Sequence, residues 1–242
     1  MATLTPDDAV LQALTTGGLT LAGQFLWGSN YTFLVDVQSA GLELKAVYKP
    51  VRGERPLWDF PPGSLAAREV AAYVASRALG WDLVPPTVLR DDGPAGAGSL
   101  QLFVDADPER HYFTFSEEQK QRLRPVAAFD ALVNNADRKG GHILLAPDGR
   151  LWVIDHGVCF HAQDKLRTVV WDFAGEPIPP PLLDEVQRFH ARLADDLALR
   201  AEFERLLESA ELEALSARAA RLLRRRHFPW PGPGRPVPWP PV

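Results

Sequence analysis

From Leu19 to Lys49 the chain is written in strand-forming residues and is interrupted twice, at Gly28 to Asn30 and at Ser39 to Glu43. Three strands joined by two turns, an antiparallel meander, are predicted. Upstream, Thr5 followed by Pro6, Asp7 and Asp8 has the chemistry of a helix start: a hydroxyl cap, proline in the first turn, then acids at the positive end of the dipole. That helix should end near Gly17-Gly18. Beyond the Pro/Gly-rich link PLWDFPPG the period changes, and SLAAREVAAYVASRALG places Leu65, Val70, Tyr73, Val74 and Leu79 on a helix capped by Ser64 and stopped by Gly80. Strands follow at TVLR and GSLQLFV. After DADPER the pattern is mostly helical, through EEQKQRLRPVAAFDALVNNA and the long charged run from Leu182 to Arg226.

The predicted organisation is therefore α+β, with a β-rich lobe over residues 1–104, a mainly helical lobe over 105–228, and a tail over 229–242. The tail, FPWPGPGRPVPWPPV with the preceding Phe228, holds too many prolines for helix or sheet and should run extended, docked through its two tryptophans or free. No internal repeat is visible.

Composition narrows the function classes. With 31 acidic against 26 basic residues the net charge is -5, so no global field draws the chain to nucleic acid or to an anionic membrane. Neither is expected as a partner. Cys159 is the one cysteine, which excludes an internal disulfide and a cysteine-built zinc cage and suits a reducing compartment. The N-terminal segment has neither a signal-peptide pattern nor a membrane-length apolar run, and a cytoplasmic location is expected.

The stretch NNADRKGGHILLAPDGRLWVIDHG, residues 134–157, concentrates the chemistry. HILLA and RLWVID read as two strands joined by the turn signal PDG, so the ends of this hairpin should lie close together. Asp137 and His142 precede the first strand and Asp155 ends the second, which puts them on one rim. Carboxylate oxygens there suit Mg2+ or Mn2+, and a neutral imidazole can join them. Asp137 and His142 are five residues apart, the spacing of a D-x-x-x-x-N catalytic loop with its last letter changed. Upstream, AVYKP sets Lys49 at the end of the third strand and AAREVAAY sets Glu69 in the next helix.

These motifs, VYKP, REVAAY, NNADRKGGHILL and VIDHG, resemble the protein-kinase-like superfamily over residues 20–175, nearest to its phosphatidylinositol 3-/4-kinase-related branch and the small actinobacterial members. The resemblance implies a two-lobed kinase-like fold with ATP between the lobes and Mg2+ or Mn2+ on its phosphates. Lys49 and Glu69 would then form the phosphate-binding ion pair, and Ser29 and Asn30 in WGSNY would cover the phosphates. Phe103 and Val104 in QLFVDAD would face the adenine. Asp137 would act on the acceptor hydroxyl, Lys139 would neutralise the travelling phosphoryl group, and His142 and Asp155 would hold the metal. The implied function is ATP-dependent phosphoryl transfer to a hydroxyl acceptor, with a nucleotide-binding pseudokinase as the alternative. A metal-dependent phosphohydrolase leaves Lys49 and Glu69 without a role.

The departures from the family pattern have consequences. His142 stands where asparagine is usual and should shift metal preference toward Mn2+. With an unperturbed histidine pKa of about 6.5, it should also make nucleotide binding fall in mild acid. His156 replaces the phenylalanine after the metal aspartate. His156, His161 and Cys159 are read as structural, Trp171 as a loop anchor, and the arginines at 224 to 226 as solvated.

Overall fold

A computed structural model describes residues 6–25, 30–39 and 41–242. The opening helix α1 (Pro6–Thr16) leads into β1 (Gly18–Phe25), β2 (Thr32–Ser39) and β3 (Leu42–Pro50), and the expected meander is formed. With β4 (Thr87–Gly93) and β5 (Gly96–Leu102) it makes an antiparallel sheet in the order β1-β2-β3-β5-β4. The two-residue period sorts its faces: Val35, Val37, Ala46, Tyr48 and Leu100 pack with Leu14 of α1 into a small core. Val47 and Lys49 therefore point the other way, into a cleft.

The helix α2 (Leu65–Leu79) lies between this sheet and the helical part, and eleven of its residues are buried. Its buried alanines, at 66, 71, 72 and 75, allow close approach on several sides. The start of α2 differs from the sequence reading. Ser64 stands at the cap position but turns its hydroxyl to the Pro61 carbonyl, 2.7 Å away. Glu54 caps the helix instead, its two oxygens accepting from the N–H groups of Leu65 (3.2 Å) and Ala66 (2.9 Å). The end is as expected, at Gly80 with φ 74°.

In the helical part the first predicted run divides into α3 (Glu117–Gln121) and α4 (Arg124–Val133). Between β6 (Ile143–Leu145) and β7 (Leu151–Val153) lies the expected hairpin, with Ile143 opposite Val153. The long charged run is three helices, α5 (Pro180–Asp195), α6 (Leu197–Glu204) and α7 (Ser209–Arg225). Asp196 makes the first break, because its carboxylate accepts from the N–H groups of Ala198 and Leu199 and starts α6. The apolar faces of α5 and α7, Leu183, Val186 and Phe189 against Leu212, Leu215 and Ala219, join the main core.

The tail is docked, though its tryptophans are not buried anchors: Trp230 is 73% and Trp239 76% exposed. Its carbonyls hold it instead. Pro236 O accepts from Thr168 N (3.0 Å) and Trp171 Nε1 (3.2 Å), and Pro241 O accepts from Gly140 N at 2.7 Å. Among the described residues no helix is long and apolar enough to cross a membrane.

Candidate active site

The cleft between the sheet and the helical part has a volume of about 940 Å³, the size of a nucleotide pocket. Three charged groups meet on its floor. Lys49 Nζ makes a short ion pair with Glu69 Oε1 and lies 2.8 Å from Asp155 Oδ1. The other Glu69 oxygen accepts from the His156 N–H at 2.8 Å. One carboxylate on α2 thereby ties β3 to the loop after β7. Burial works against the charge on Lys49, but Asp155 and Glu69 outweigh it and hold the ammonium above its ordinary pKa. The same balance acts on Asp155, where burial is outweighed by Lys49 and then His142, so the carboxyl is held well below the usual range.

Asp155 reaches this position through a left-handed backbone, φ 62°, which aspartate tolerates better than most side chains. Gly157 follows where the chain passes close to α2; a Cβ there would stand 3.3 Å from that of Leu65.

The loop carrying Asp137 is set by a fully buried arginine. Arg138 pairs with Asp130 of α4 at 3.1 Å, and Asp130 also accepts from Thr168 (3.0 Å) and Asn135 (3.2 Å). From there Arg138 donates to Ile154 O at 2.7 Å and to His156 Nε2 at 2.7 Å. A buried ion pair is weak evidence of stability, because desolvating both charges costs several kcal/mol. Here it fixes the 134–142 loop against the strand that delivers Asp155. Sequence reasoning missed this network. Its signal was present: an acid at position 130 lies among Phe129, Leu132 and Val133 on the buried face of α4, where it needs a partner.

Asp137 is partly buried, with Lys139 Nζ 3.5 Å from its carboxylate. Burial pushes its carboxyl up to about 6, against the pull of Lys139. His142 Nε2 lies 3.2 Å from Asp155 Oδ2, while its Nδ1 accepts from the Lys139 N–H at 3.4 Å. Because Nδ1 accepts, the proton of the neutral ring lies on Nε2, which stands in a charge contact with Asp155 that is not aligned as a hydrogen bond. Burial pulls its pKa down to about 4, so an acid limb near the ordinary histidine value is not expected of this residue.

The remaining candidates are distributed around the cleft. Asn30 lines it and accepts from Arg55 N at 2.7 Å, whereas Ser29 lies outside the described residues. Phe103 and Val104 line it just beyond β5, with Phe103 N donating to Lys45 O at 2.9 Å. His156 is buried edge-on to Phe129, and His161 packs edge-on to Phe60. Trp171 bonds the tail, in keeping with a loop anchor. Sequence reasoning did not single out the rim, where Trp58 is 93% exposed beside the Lys165–Asp59 ion pair. Among the described residues no group of three or more His, Cys, Asp or Glu side chains is arranged to hold a metal unaided.

No family model matches the chain. It is 43% identical over 275 aligned residues to Protein Rv2133c of Mycobacterium tuberculosis, an alignment covering 98% of this chain and 96% of that one. It is 35% identical to phosphatidylinositol 4-kinase gamma 4 of Oryza sativa subsp. japonica, over 59% of this chain and 32% of the rice protein. A 30% match to phosphatidylinositol 4-kinase gamma 4 of Arabidopsis thaliana covers 45% of this chain and 24% of that protein. The chain thus spans a third or less of the length of these kinases. Among solved structures, the Helicobacter pylori proinflammatory kinase CtkA superposes with a TM-score of 0.54 at 12% identity, over 89% of this chain and 94% of that one. The two share a two-lobed kinase fold.

Proposed function

The chain belongs to one family with Protein Rv2133c, inside the kinase-like superfamily, and on that premise we propose that it is an ATP-dependent phosphotransferase acting on a hydroxyl acceptor. The observation that carries this reading is the junction of Lys49, Glu69 and Asp155 on the floor of a nucleotide-sized cleft. A phosphohydrolase has no use for the Lys49–Glu69 pair.

In this reading residues 1–104 and 105–228 act as the two lobes around the nucleotide. Lys49, held by Glu69, takes the α- and β-phosphates; Phe103 and Val104 face the base, and Ser29 and Asn30 cover the phosphates. Asp137 orients the acceptor hydroxyl and receives its proton, a task suited to a carboxyl poised near 6. Lys139 stands beside it to neutralise the phosphoryl group in transit.

A divalent cation would be held by Asp155 and His142 together with phosphate oxygens, and would supply charge stabilisation at the β- and γ-phosphates. The residues fit this with one condition. Asp155 offers an anionic oxygen directly, but His142 offers Nε2 as a ligand only after its proton moves to Nδ1, which then faces the Lys139 N–H. That condition favours a second reading, a nucleotide-binding scaffold in which His142 keeps its Nε2 proton facing Asp155 and turnover is lost.

Two alanine variants separate the roles. Asp155→Ala should lose metal-dependent ATP binding, whereas Asp137→Ala should keep binding and lose phosphoryl transfer. Equal loss of binding in both variants would contradict the assignment, and intact transfer in Asp137→Ala would reject its catalytic role.

A further inference from the structure

Lys165 and Arg167 line the cleft and also a second cavity, so the short segment carrying them forms part of both walls. This second space, about 790 Å³, is bounded by α7, by residues 164–167 and by the tail from Phe228 to Pro236. Its lining is strongly cationic for a chain of net charge -5: Lys165, Arg167, Arg218, Arg221, Arg225 and Arg235 face a single carboxylate, that of Asp164.

Two of these cations are already neutralised. Lys165 pairs with Asp59 at 2.7 Å, and Arg221 holds Asp164 through two bonds of 2.8 and 2.9 Å. Arg167, Arg218, Arg225 and Arg235 make no close ion pair among the described residues, although Asp164 acts on Arg218 and Arg225 at longer range. Arg218 is the informative one. It is 3% exposed, its Nε donates to Leu132 O at 2.8 Å and its Nη1 to His161 O at 3.2 Å, but its Nη2 is buried without a partner. A buried guanidinium with one unpartnered nitrogen and no close ion pair is costly, and an anion in the adjoining cavity lowers that cost.

We propose that this cavity binds a phosphate-class dianion, either inorganic phosphate or the phosphoryl end of a small phosphate monoester. Four arginines without a close ion pair, against one carboxylate already held by Arg221, match a dianion better than a monoanion, and their planar, many-donor forks suit tetrahedral oxygens. Exposed Arg225 and Arg235 form the outer side and buried Arg218 the inner. The volume exceeds that of a bare ion and leaves room for a carrier. The site is separate from the Lys49–Asp155 junction and does not depend on phosphoryl transfer there.

The test titrates inorganic phosphate and glycerol 3-phosphate into the full chain at matched ionic strength, with chloride as control, following binding calorimetrically and by the thermal transition. The Lys49→Met variant is run in parallel, because the cleft is the other place a phosphate could bind. The expected result is saturable binding to both proteins, weakened about tenfold or more by the double substitution of surface residues Arg225→Gln and Arg235→Gln. Arg218→Met should also abolish it; if that variant does not fold, the surface pair decides alone. Tighter binding of the monoester marks a carried phosphoryl group, and tighter binding of phosphate marks the free ion. No saturable binding by either, an equal response to chloride, or binding lost in Lys49→Met but kept in the arginine pair would overturn the proposal.

Discussion

At the scale of single residues, Asp137 and His142 titrate in opposite senses, and that gives two measurable slopes. Burial raises the Asp137 carboxyl to about 6, so the folded chain holds this proton more tightly than the unfolded chain, whose carboxyl titrates near about 3.9. Its contribution to stability is present in acid and is lost as pH rises through about 6. Asp137→Asn should therefore stabilise the fold at pH 7, by about 1–2 kcal/mol once the partial exposure of the side chain is allowed for, while abolishing transfer. His142 has the reverse sign. Its pKa falls to about 4 on folding, so stability present above the unfolded value of about 6.5 is lost as pH drops from there toward 4. Denaturation from pH 4 to 7 separates them: relative to the parent chain, Asp137→Asn should steepen the loss in acid and His142→Asn should flatten it. Unchanged slopes in both variants would show that neither proton is linked to folding as described. His142→Asn should also move metal preference from Mn2+ toward Mg2+ if the imidazole is a ligand; identical preference would leave it only its contact with Asp155.

At the scale of elements, α2 decides whether Glu69 can meet Lys49, and its position is set one residue earlier. Arg68 is buried, ion-paired to Glu211 of α7 and bonded to Cys159 O at 2.8 Å, with the Phe60 ring 4.9 Å from its guanidinium. Arg68→Met leaves Glu211 buried without its partner and should cost about 3–5 kcal/mol, measured by chemical denaturation. Adding Glu211→Leu should recover much of that loss. A double variant no more stable than the single one would show that packing, and not the charge pair, holds α2. The strands and the α2 span were legible because period and turn residues act locally: Val35 and Val37 on β2, Ala46 and Tyr48 on β3, Gly80 after α2. Glu54 as the cap was not legible, because it acts across eleven residues of a Pro/Gly-rich link. Asp196 was a cap written into the long charged run, hidden beside its neighbour Asp195 in an unbroken helical pattern.

At the scale of the whole molecule, the candidate site is assembled from β3, α2, the loop after α4 and the end of β7. Lys49, Glu69, Asp137, His142 and Asp155 were singled out in the sequence by their motifs and the family resemblance, and the fold brings them to one cleft. The network behind them was not, because Asp130, Arg138, Thr168 and His156 meet only after the chain has folded. Nor does composition show where charge gathers; a net charge of -5 conceals the arginine-lined cavity under the tail. The central claim is that the Lys49–Glu69–Asp155 junction is a metal–nucleotide site. Calorimetric titration of ATP, with and without Mg2+ or Mn2+, into the parent chain and into a folded Lys49→Met variant tests it most directly. The account predicts binding that requires the cation and weakens about tenfold or more in Lys49→Met. Absence of ATP binding with either cation, or equal affinity in the two proteins, would contradict it.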